Sequence, residues 1–165
     1  MHTNRQRGFT LIELVVVIII LGILAVVAAP KFINLKSDAL IANLNGLQGA
    51  LKSANTLVYS KAVLTGQEKL EPGSVAVNGT PISTTVGYIT SSPANVAAAI
   101  DGSFEVMTGA QDEITADWGL FNDPGKTMHI YPKGYGNTGN CSLLYNVDST
   151  NTTEPTFYSI TSSGC

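Results

Sequence analysis

The N-terminal part of the chain carries two hydrophobic patterns in succession. Residues 9–29, FTLIELVVVIIILGILAVVAA, are almost all apolar. A run of about 20 such residues is the length that a helix needs to cross a bilayer. After Pro30 the apolar residues recur at alternating steps of four and three, which predicts one apolar stripe along an amphipathic helix. The stripe consists of Leu40, Leu44, Leu47, Leu51, Ala54 and Val58.

The two patterns predict one helix from Phe9 to about Lys61. Pro30 is expected to bend this helix without ending it, because the lost hydrogen bond can be compensated locally. Residues 9–29 then form an apolar first half, and residues 30–61 form a second half that buries one face against the rest of the chain. The polar residues expected to lie largely off the stripe are Lys36, Asn43, Asn45, Lys52 and Asn55.

Residues 62–165 differ in composition and predict a β-rich head. Glycine, serine, threonine, proline and asparagine become frequent after Leu64, as in a loop-rich β domain. Residues 75–77 predict a strand that runs into a tight turn at Asn78-Gly79, and residues 93–100 predict a short helix that begins near Pro93. Further strands are expected within 127–131, 143–147 and 157–161. The head is therefore expected to contain three or four antiparallel strands packed on the amphipathic helix.

The charges predict how the chain crosses the membrane. Nine lysines and arginines face twelve acids, for a formal net charge of −3, and this balance gives no reason to expect a nucleic-acid partner. Arg5 and Arg7, the two arginines, lie ahead of the apolar run. By the positive-inside bias they place the N-terminus in the cytoplasm, and the head is then delivered to the outside of the inner membrane.

The two cysteines, Cys141 and Cys165, bracket the C-terminal segment. No histidine lies near them in the sequence, and a zinc site needs three or four ligands. Two cysteines in this arrangement favour a disulfide formed in an oxidising compartment, here the periplasm or the cell exterior. The alternative, a pair of buried free thiols, stays open at this stage.

Glu13 distinguishes the apolar run from the apolar segments of ordinary signal peptides and membrane anchors. A secretory signal peptide has a shorter apolar region that ends in a small-residue cleavage site. A simple signal anchor would match the length of this run but would not explain Glu13. A carboxylate inside such a run costs a few kcal/mol or more unless it is paired or protonated. We therefore expect Glu13 to have a specific partner.

Gly8-Phe9-Thr10-Leu11-Ile12-Glu13, between a short basic leader and the apolar run, resembles the cleavage motif of type IV prepilins. The resemblance implies removal of a leader at residues 1–8, cleavage between Gly8 and Phe9, and N-methylation of the new Phe9 amine. It makes Glu13 the characteristic acid of the family, and Pro30 falls where many of these pilins bend. It also implies the α+β type IV pilin fold, with one long N-terminal helix packed on a small antiparallel sheet.

Three further segments are similar to the mannose-sensitive haemagglutinin pilins: PKFINLKSDA, SANTLVYSKA and the terminal SGC. This resemblance implies a major pilin of a surface filament used for adhesion and biofilm formation, with the Cys141–Cys165 loop at an exposed edge. The implied partners are other copies of the chain in a helical homopolymer and the prepilin peptidase that also methylates Phe9. The resemblance also implies three further partners: the inner-membrane assembly platform, its cytoplasmic ATPase and an outer-membrane secretin.

The residues give the motif a physical role that agrees with the resemblance. Cleavage creates a positive amine at Phe9, about one helical turn from Glu13. Packed helices in a filament would bury the acid, where an unpaired charge is expensive. Pairing Glu13 with the Phe9 amine of a neighbouring copy would satisfy both groups and fix the axial register. Glu13 is thus predicted to direct assembly.

The sequence shows no catalytic constellation, and we expect no enzyme activity, cofactor or metal. His129 has no recognisable nucleophile or orienting acid, which favours a structural role. Asp112, Glu113, Asp117 and Asp123 lack the spacing of an EF-hand loop, so a solvated acidic surface is favoured over a calcium site.

Two alternatives to a pilin remain. The first is a major pseudopilin of a type II secretion system, whose subunits share the N-terminal motif. In that family the major subunit typically holds its C-terminal region with calcium, where this chain offers two cysteines. The second is a membrane-anchored enzyme or binding receptor, which would predict turnover or a tight small ligand in the head and no processing after Gly8.

Overall fold

The computed structural model describes residues 8–109, 112–123, 127–136, 140–151 and 155–165. The predicted leader, including Arg5 and Arg7, lies outside the described residues apart from Gly8. The chain divides into two compact units, the first ending at Asp38 and the second spanning Ala39–Cys165. The helix α1, Leu11–Thr65, has residues in both units.

The first unit contains the apolar part of α1. Within the described residues, α1 holds a stretch with a mean hydropathy of 3.2, long and apolar enough to cross a membrane, and none of that stretch is buried. The helix continues through Pro30, as predicted. Proline has no backbone N–H, so the carbonyl of Val26 has no i+4 donor within the helix.

The second unit contains the head and the amphipathic part of α1. Along the chain the head elements are β1 Gly73–Val77, β2 Thr80–Thr85, β3 Tyr88–Ile89, α2 Pro93–Ala99, β4 Phe104–Val106, β5 Trp118–Asn122, β6 Met128–Pro132, β7 Ser142–Val147 and β8 Thr156–Thr161. The strands form a three-stranded sheet, β1-β2-β3, and a five-stranded sheet, β4-β5-β6-β7-β8. All neighbours are antiparallel except β4 and β5, which run parallel.

The fold confirms the predicted class but corrects the number of strands. The sequence correctly predicted the long helix, β1, α2 and the three C-terminal strands, β6, β7 and β8. It did not predict β2, β3, β4 and β5. The described residues form eight strands rather than three or four. The helix also extends to Thr65, beyond the predicted end near Lys61.

Two tight turns build the three-stranded sheet. Asn78 and Gly79 have φ values of 49° and 82°, the left-handed pair that a two-residue type I′ hairpin requires, which confirms the predicted turn. Val86 and Gly87 repeat this geometry between β2 and β3, with φ values of 47° and 84°. A Cβ at Gly87 would lie 2.9 Å from the ring of Tyr59 on α1, so this turn can approach the helix closely only with glycine there.

The apolar stripe of α1 forms one side of the core, as its spacing predicted. Leu44, Leu51 and Val58 are almost completely buried, and Leu40 and Ala54 are partly buried beside them. Facing them in one continuous cluster are buried side chains from both sheets and α2: Val75, Ile82, Ile89, Val96, Leu120, Ile130, Leu143 and Tyr145. Four of the five polar residues placed off the stripe are exposed: Lys36, Asn43, Asn45 and Lys52.

Asn55 is the exception, and its prediction was wrong. Its side chain is only 2% exposed. Asn55 Oδ1 accepts a hydrogen bond from the Ile89 amide at 2.9 Å, and Asn55 Nδ2 donates to the hydroxyls of Tyr145 at 3.0 Å and Tyr158 at 2.7 Å. The Tyr145 hydroxyl in turn donates to the Ile89 carbonyl. Asn55 thus joins α1 to β3 of one sheet and to β7 and β8 of the other.

The hydrogen bonds of Asn55 and Tyr145 take the place of a further strand beside β3. β3 is an edge strand, and the backbone N–H and C=O of Ile89 are satisfied by the side chains of Asn55 and Tyr145 rather than by another strand. Burial raises the pKa of Tyr145, and it also raises that of Tyr158. Both phenols therefore stay neutral and keep their hydrogen-bonding protons at neutral pH.

We predict that Asn55→Ala lowers the free energy of unfolding of the head by about 2–4 kcal/mol, because it leaves the buried Ile89 amide without an acceptor and removes the hydrogen bonds from Asn55 to the Tyr145 and Tyr158 hydroxyls. Urea titration followed by Trp118 fluorescence measures this loss. Asn43→Ala, an exposed change on the same helix, is the matched control and should shift stability by less than about 0.5 kcal/mol. Equal stability of the two variants would contradict the role given to Asn55.

Candidate functional site

The predicted cleavage site lies just ahead of α1. Gly8, Phe9 and Thr10 precede the first helical residue, Leu11, and the Phe9 side chain is 91% exposed. A Cβ added to Gly8 would meet no atom within 4 Å. The peptide bond between Gly8 and Phe9 therefore lies ahead of the helix, in a segment that no other described part of the chain covers.

Glu13 has a hydrogen-bond partner within its own chain. Its Oε2 accepts a hydrogen bond from the Thr10 amide at 2.8 Å and another from the Thr10 hydroxyl at 2.7 Å. The Glu13 amide lies 3.4 Å from the Thr10 hydroxyl, to which it donates. This reciprocal pair is a capping box, in which an N-cap threonine and a glutamate three residues later satisfy amides at the start of a helix.

Sequence reasoning missed this contact, although the signal was present. Thr10-Leu11-Ile12-Glu13 fits the S/T-x-x-E pattern that marks a helix start. The contact is compatible with the predicted cleavage, since hydrolysis between Gly8 and Phe9 converts only the Phe9 nitrogen into an amine. The Thr10 amide keeps its proton and remains available to Glu13.

The helix that follows Glu13 has an unbroken apolar surface. Every described large hydrophobic side chain from Leu11 to Val27 is exposed, the least exposed being Val15 at 38%. A stretch of this length and composition suits hydrocarbon or the packed interior of an assembly. The site thus combines an accessible Gly8–Phe9 bond, a carboxylate held at the start of a helix, and an apolar surface to be covered.

The second predicted pair of site residues, Cys141 and Cys165, forms a disulfide, with Cα atoms 4.9 Å apart. Cys141 is fully buried and belongs to the core cluster, and the prediction of a bond between the two cysteines is confirmed. The Gly164 amide donates to the Asn140 carbonyl at 3.1 Å, which binds the end of the chain to the start of the same loop. The disulfide thus holds Cys165 against the sheet.

Two acidic residues of the head, Asp112 and Glu105, accept hydrogen bonds from nearby loop residues. Asp112 Oδ2 accepts hydrogen bonds from the amides of Thr108 and Gly109, each at 2.8 Å, and the hydrogen bonds to Asp112 lower its pKa. Glu105, which the sequence did not single out, accepts from the amide and hydroxyl of Thr115, and these bonds lower its pKa. Within the described residues no group of three or more His, Cys, Asp or Glu could hold a metal ion.

His129 lies on β6 with its ring stacked on that of Tyr131, the centroids 5.8 Å apart. Burial lowers its pKa, so the imidazole is neutral at physiological pH. The contact is one between neighbouring aromatic side chains on a sheet, as expected of a structural histidine.

Comparison with known proteins places this arrangement in a family. Residues 3–29 match the prokaryotic N-terminal methylation motif. The chain is 30% identical to the fimbrial protein EcpC of Eikenella corrodens, over 68% of this chain and 80% of that protein. It is also 30% identical to the type IV major fimbrial protein FimA of Dichelobacter nodosus, over 69% of this chain and 72% of that protein.

Shorter matches extend the range of relatives. The type IV narrow pilus major component PilA5 of Thermus thermophilus is 43% identical over 35% of this chain, and the match spans half of that protein's length. The type II secretion system core protein G of Klebsiella pneumoniae is 47% identical over 29% of this chain and 37% of its own length. No solved structure matches the chain.

The chain is therefore a structural subunit of the class that includes type IV pilins and pseudopilins. It belongs to the type IV pilin family by its long similarity to the two fimbrial proteins.

We predict that the double variant Cys141→Ser/Cys165→Ser lowers the free energy of unfolding of the head by about 2–4 kcal/mol, because it releases the chain end in the unfolded state. Denaturant unfolding of the purified protein under oxidising conditions measures this loss. The unmodified chain under reducing conditions is the control and should match the variant. A variant as stable as the oxidised chain would contradict a stabilising bond.

Proposed function

We propose that this chain is a prepilin that is cleaved after Gly8, methylated on Phe9 and polymerised into a mannose-sensitive-haemagglutinin-type pilus for adhesion and biofilm formation. The observation that carries the proposal is the exposed apolar helix beginning at Leu11, preceded directly by the Gly8–Phe9 motif and holding Glu13 at its start. The similarity to fimbrial proteins over two thirds of the chain supports the pilin part of this proposal. The mannose-sensitive haemagglutinin type rests on the resemblance of the segments PKFINLKSDA, SANTLVYSKA and SGC.

The proposed topology follows from the charges and the disulfide. The precursor spans the inner membrane with Arg5 and Arg7 in the cytoplasm, where the prepilin peptidase acts, and with its head in the periplasm. The Cys141–Cys165 bond suits that oxidising compartment. The assembly platform, its ATPase and the secretin then move the subunit from the membrane into the extracellular filament.

Glu13 gives assembly its register in this proposal. Once helices pack and exclude lipid headgroups and water, the Phe9 amine of one copy needs a counter-charge, and the Glu13 carboxylate of a neighbour provides it. Thr10 engages Oε2 of Glu13, so the carboxylate is already oriented in the single subunit. Cleavage adds the amine while leaving this orientation unchanged.

A major pseudopilin of a type II secretion system is the second candidate, because the Klebsiella core protein G shares 47% identity over 52 residues. The matches to fimbrial proteins cover 119 and 123 residues and therefore extend further along the chain. The disulfide that holds the C-terminus also favours a pilin. Calcium-dependent stability of the reduced head would favour the secretion subunit instead.

We predict that Glu13→Ala is inserted and processed but loses surface filaments by more than about tenfold, because the Phe9 amine is left buried without a counter-charge. Filaments are counted by electron microscopy and by the yield of sheared protein. The intact mass of the membrane-bound subunit should begin with methylated Phe9 in both the variant and the unmodified chain.

Two threonine variants refine this test. Thr10→Ser keeps the hydroxyl that contacts Glu13 and should assemble normally, whereas Thr10→Val should reduce filament yield without affecting cleavage. Normal piliation by Glu13→Ala would refute the register argument. Surface protein that retains residues 1–8 would refute the proposed processing.

A further inference from the structure

A groove of about 310 Å³ lies on the head near the C-terminal end of α1. Its volume falls within the range of small-molecule sites, about 300–1,000 Å³. Its aromatic lining is Tyr59 of α1 and Tyr88 of β3, and its charged lining is Glu68 and Lys69 from the segment between α1 and β1. Residues between β7 and β8 close the opposite side. The groove therefore combines aromatic rings with charged groups in one concave surface.

The two tyrosine rings of the groove are stacked on each other. The centroids of Tyr59 and Tyr88 lie 4.8 Å apart, and the ring planes differ by 21°. Gly87, which precedes Tyr88, permits this close approach because a Cβ there would lie 2.9 Å from the Tyr59 ring. The face of an aromatic ring carries partial negative charge and attracts a cation within about 6 Å of its centroid. The aromatic part of the lining therefore favours a cation over an anion.

Glu68 adds a carboxylate to the same groove. Its Oε2 is shielded from water and has no hydrogen-bond partner in the described structure. Buried polar atoms are rarely left without a partner, and a shielded carboxylate oxygen loses hydration that an adjacent positive charge can replace. Lys69 is exposed and forms no ion pair with Glu68 within the described part of the chain. Glu68 can therefore serve as the counter-charge for a cation from outside the chain.

The composition of the lining favours an organic cation over a metal ion. Calcium takes about six to eight oxygen ligands, and among the described residues no group of three or more His, Cys, Asp or Glu could hold a metal ion. Aromatic rings with a single carboxylate suit a substituted ammonium group, whose apolar body contacts the rings. The neighbouring groove of about 540 Å³ shares Tyr88 but contains Lys52 rather than an acid, which disfavours the same ligand there.

We propose that this groove binds a small organic ammonium ion, with Glu68 as its counter-charge and the stacked Tyr59 and Tyr88 rings as its aromatic contact. The ligand class is the alkylammonium cation, of which choline is a soluble example. Binding of this kind gives the head a role of its own, which does not depend on assembly of the helix into a filament. Because Glu68 recognises the charge and the rings recognise the apolar body, loss of either should weaken binding.

Equilibrium dialysis of radiolabelled choline against the full chain in neutral maltoside micelles measures this binding, with protein-free micelles as the blank. Choline should bind saturably, and unlabelled choline should displace it. The neutral isostere 3,3-dimethyl-1-butanol has the same shape without the charge and should compete at least about tenfold more weakly. Equal competition by the two compounds would overturn the proposal, because the groove would then recognise apolar shape alone.

Matched variants assign the binding to this groove. Glu68→Gln keeps the shape of the side chain but removes its charge and should lower the affinity for choline by at least about tenfold. Tyr59→Leu should also lower it, because one of the two rings is lost. Glu71→Gln, a change at an exposed acid of the same segment, is the control and should leave the affinity unchanged. Trp118 fluorescence during urea titration verifies that each variant is folded.

Lys69→Ala provides a further check, because it removes the cation that lines the same groove. This variant should bind choline at least as tightly as the unmodified chain. Loss of binding in Lys69→Ala, unchanged affinity in Glu68→Gln or an equal loss in Glu71→Gln would each overturn the proposal. Absence of saturable binding to the unmodified chain would overturn it as well, while leaving the proposed pilin function intact.

Discussion

The apolar surface of α1 between Leu11 and Val27 is the constraint on which the rest of this protein depends. Nothing in the described structure covers it, and a helix that is apolar on all sides is stable only in lipid or inside a protein assembly. A subunit with this helix must therefore begin in a membrane and can leave it only for surroundings that are equally apolar. Glu13 is the charged exception within that surface, and the capping box with Thr10 orients its carboxylate before any neighbour arrives.

The head meets a different requirement, since it must fold in water while using part of the same helix as one wall of its core. The stripe from Leu44 to Val58 provides that wall, and Asn55 within it provides the polar links. One amide side chain satisfies an amide of β3 and contacts two phenols of β7 and β8, so a single helical residue sets the position of both sheets. The disulfide secures the remaining free end of the chain.

The sequence predicted features set by local pattern and missed those set by distant contacts. The apolar run, the stripe, the Asn78-Gly79 turn and the cysteine pair are legible because spacing and residue type determine them. β2 contains Pro81 and three threonines, β3 has two residues and β4 has three, so none carries a recognisable alternation. Asn55 was misplaced because its partners, Tyr145 and Tyr158, lie 90 and 103 residues away. The Thr10–Glu13 contact was legible from its spacing and was overlooked.

The most direct test of the central claim, that Glu13 pairs with the Phe9 amine of a neighbouring copy, is a cryo-electron microscopy map of the sheared filament that resolves side chains in its core. The account predicts density for methylated Phe9 with its nitrogen within about 4 Å of a Glu13 carboxylate oxygen from another subunit. It also predicts that Thr10 still contacts the same carboxylate. A filament in which each Phe9 amine lies far from every Glu13, or in which Glu13 faces solvent, would contradict it.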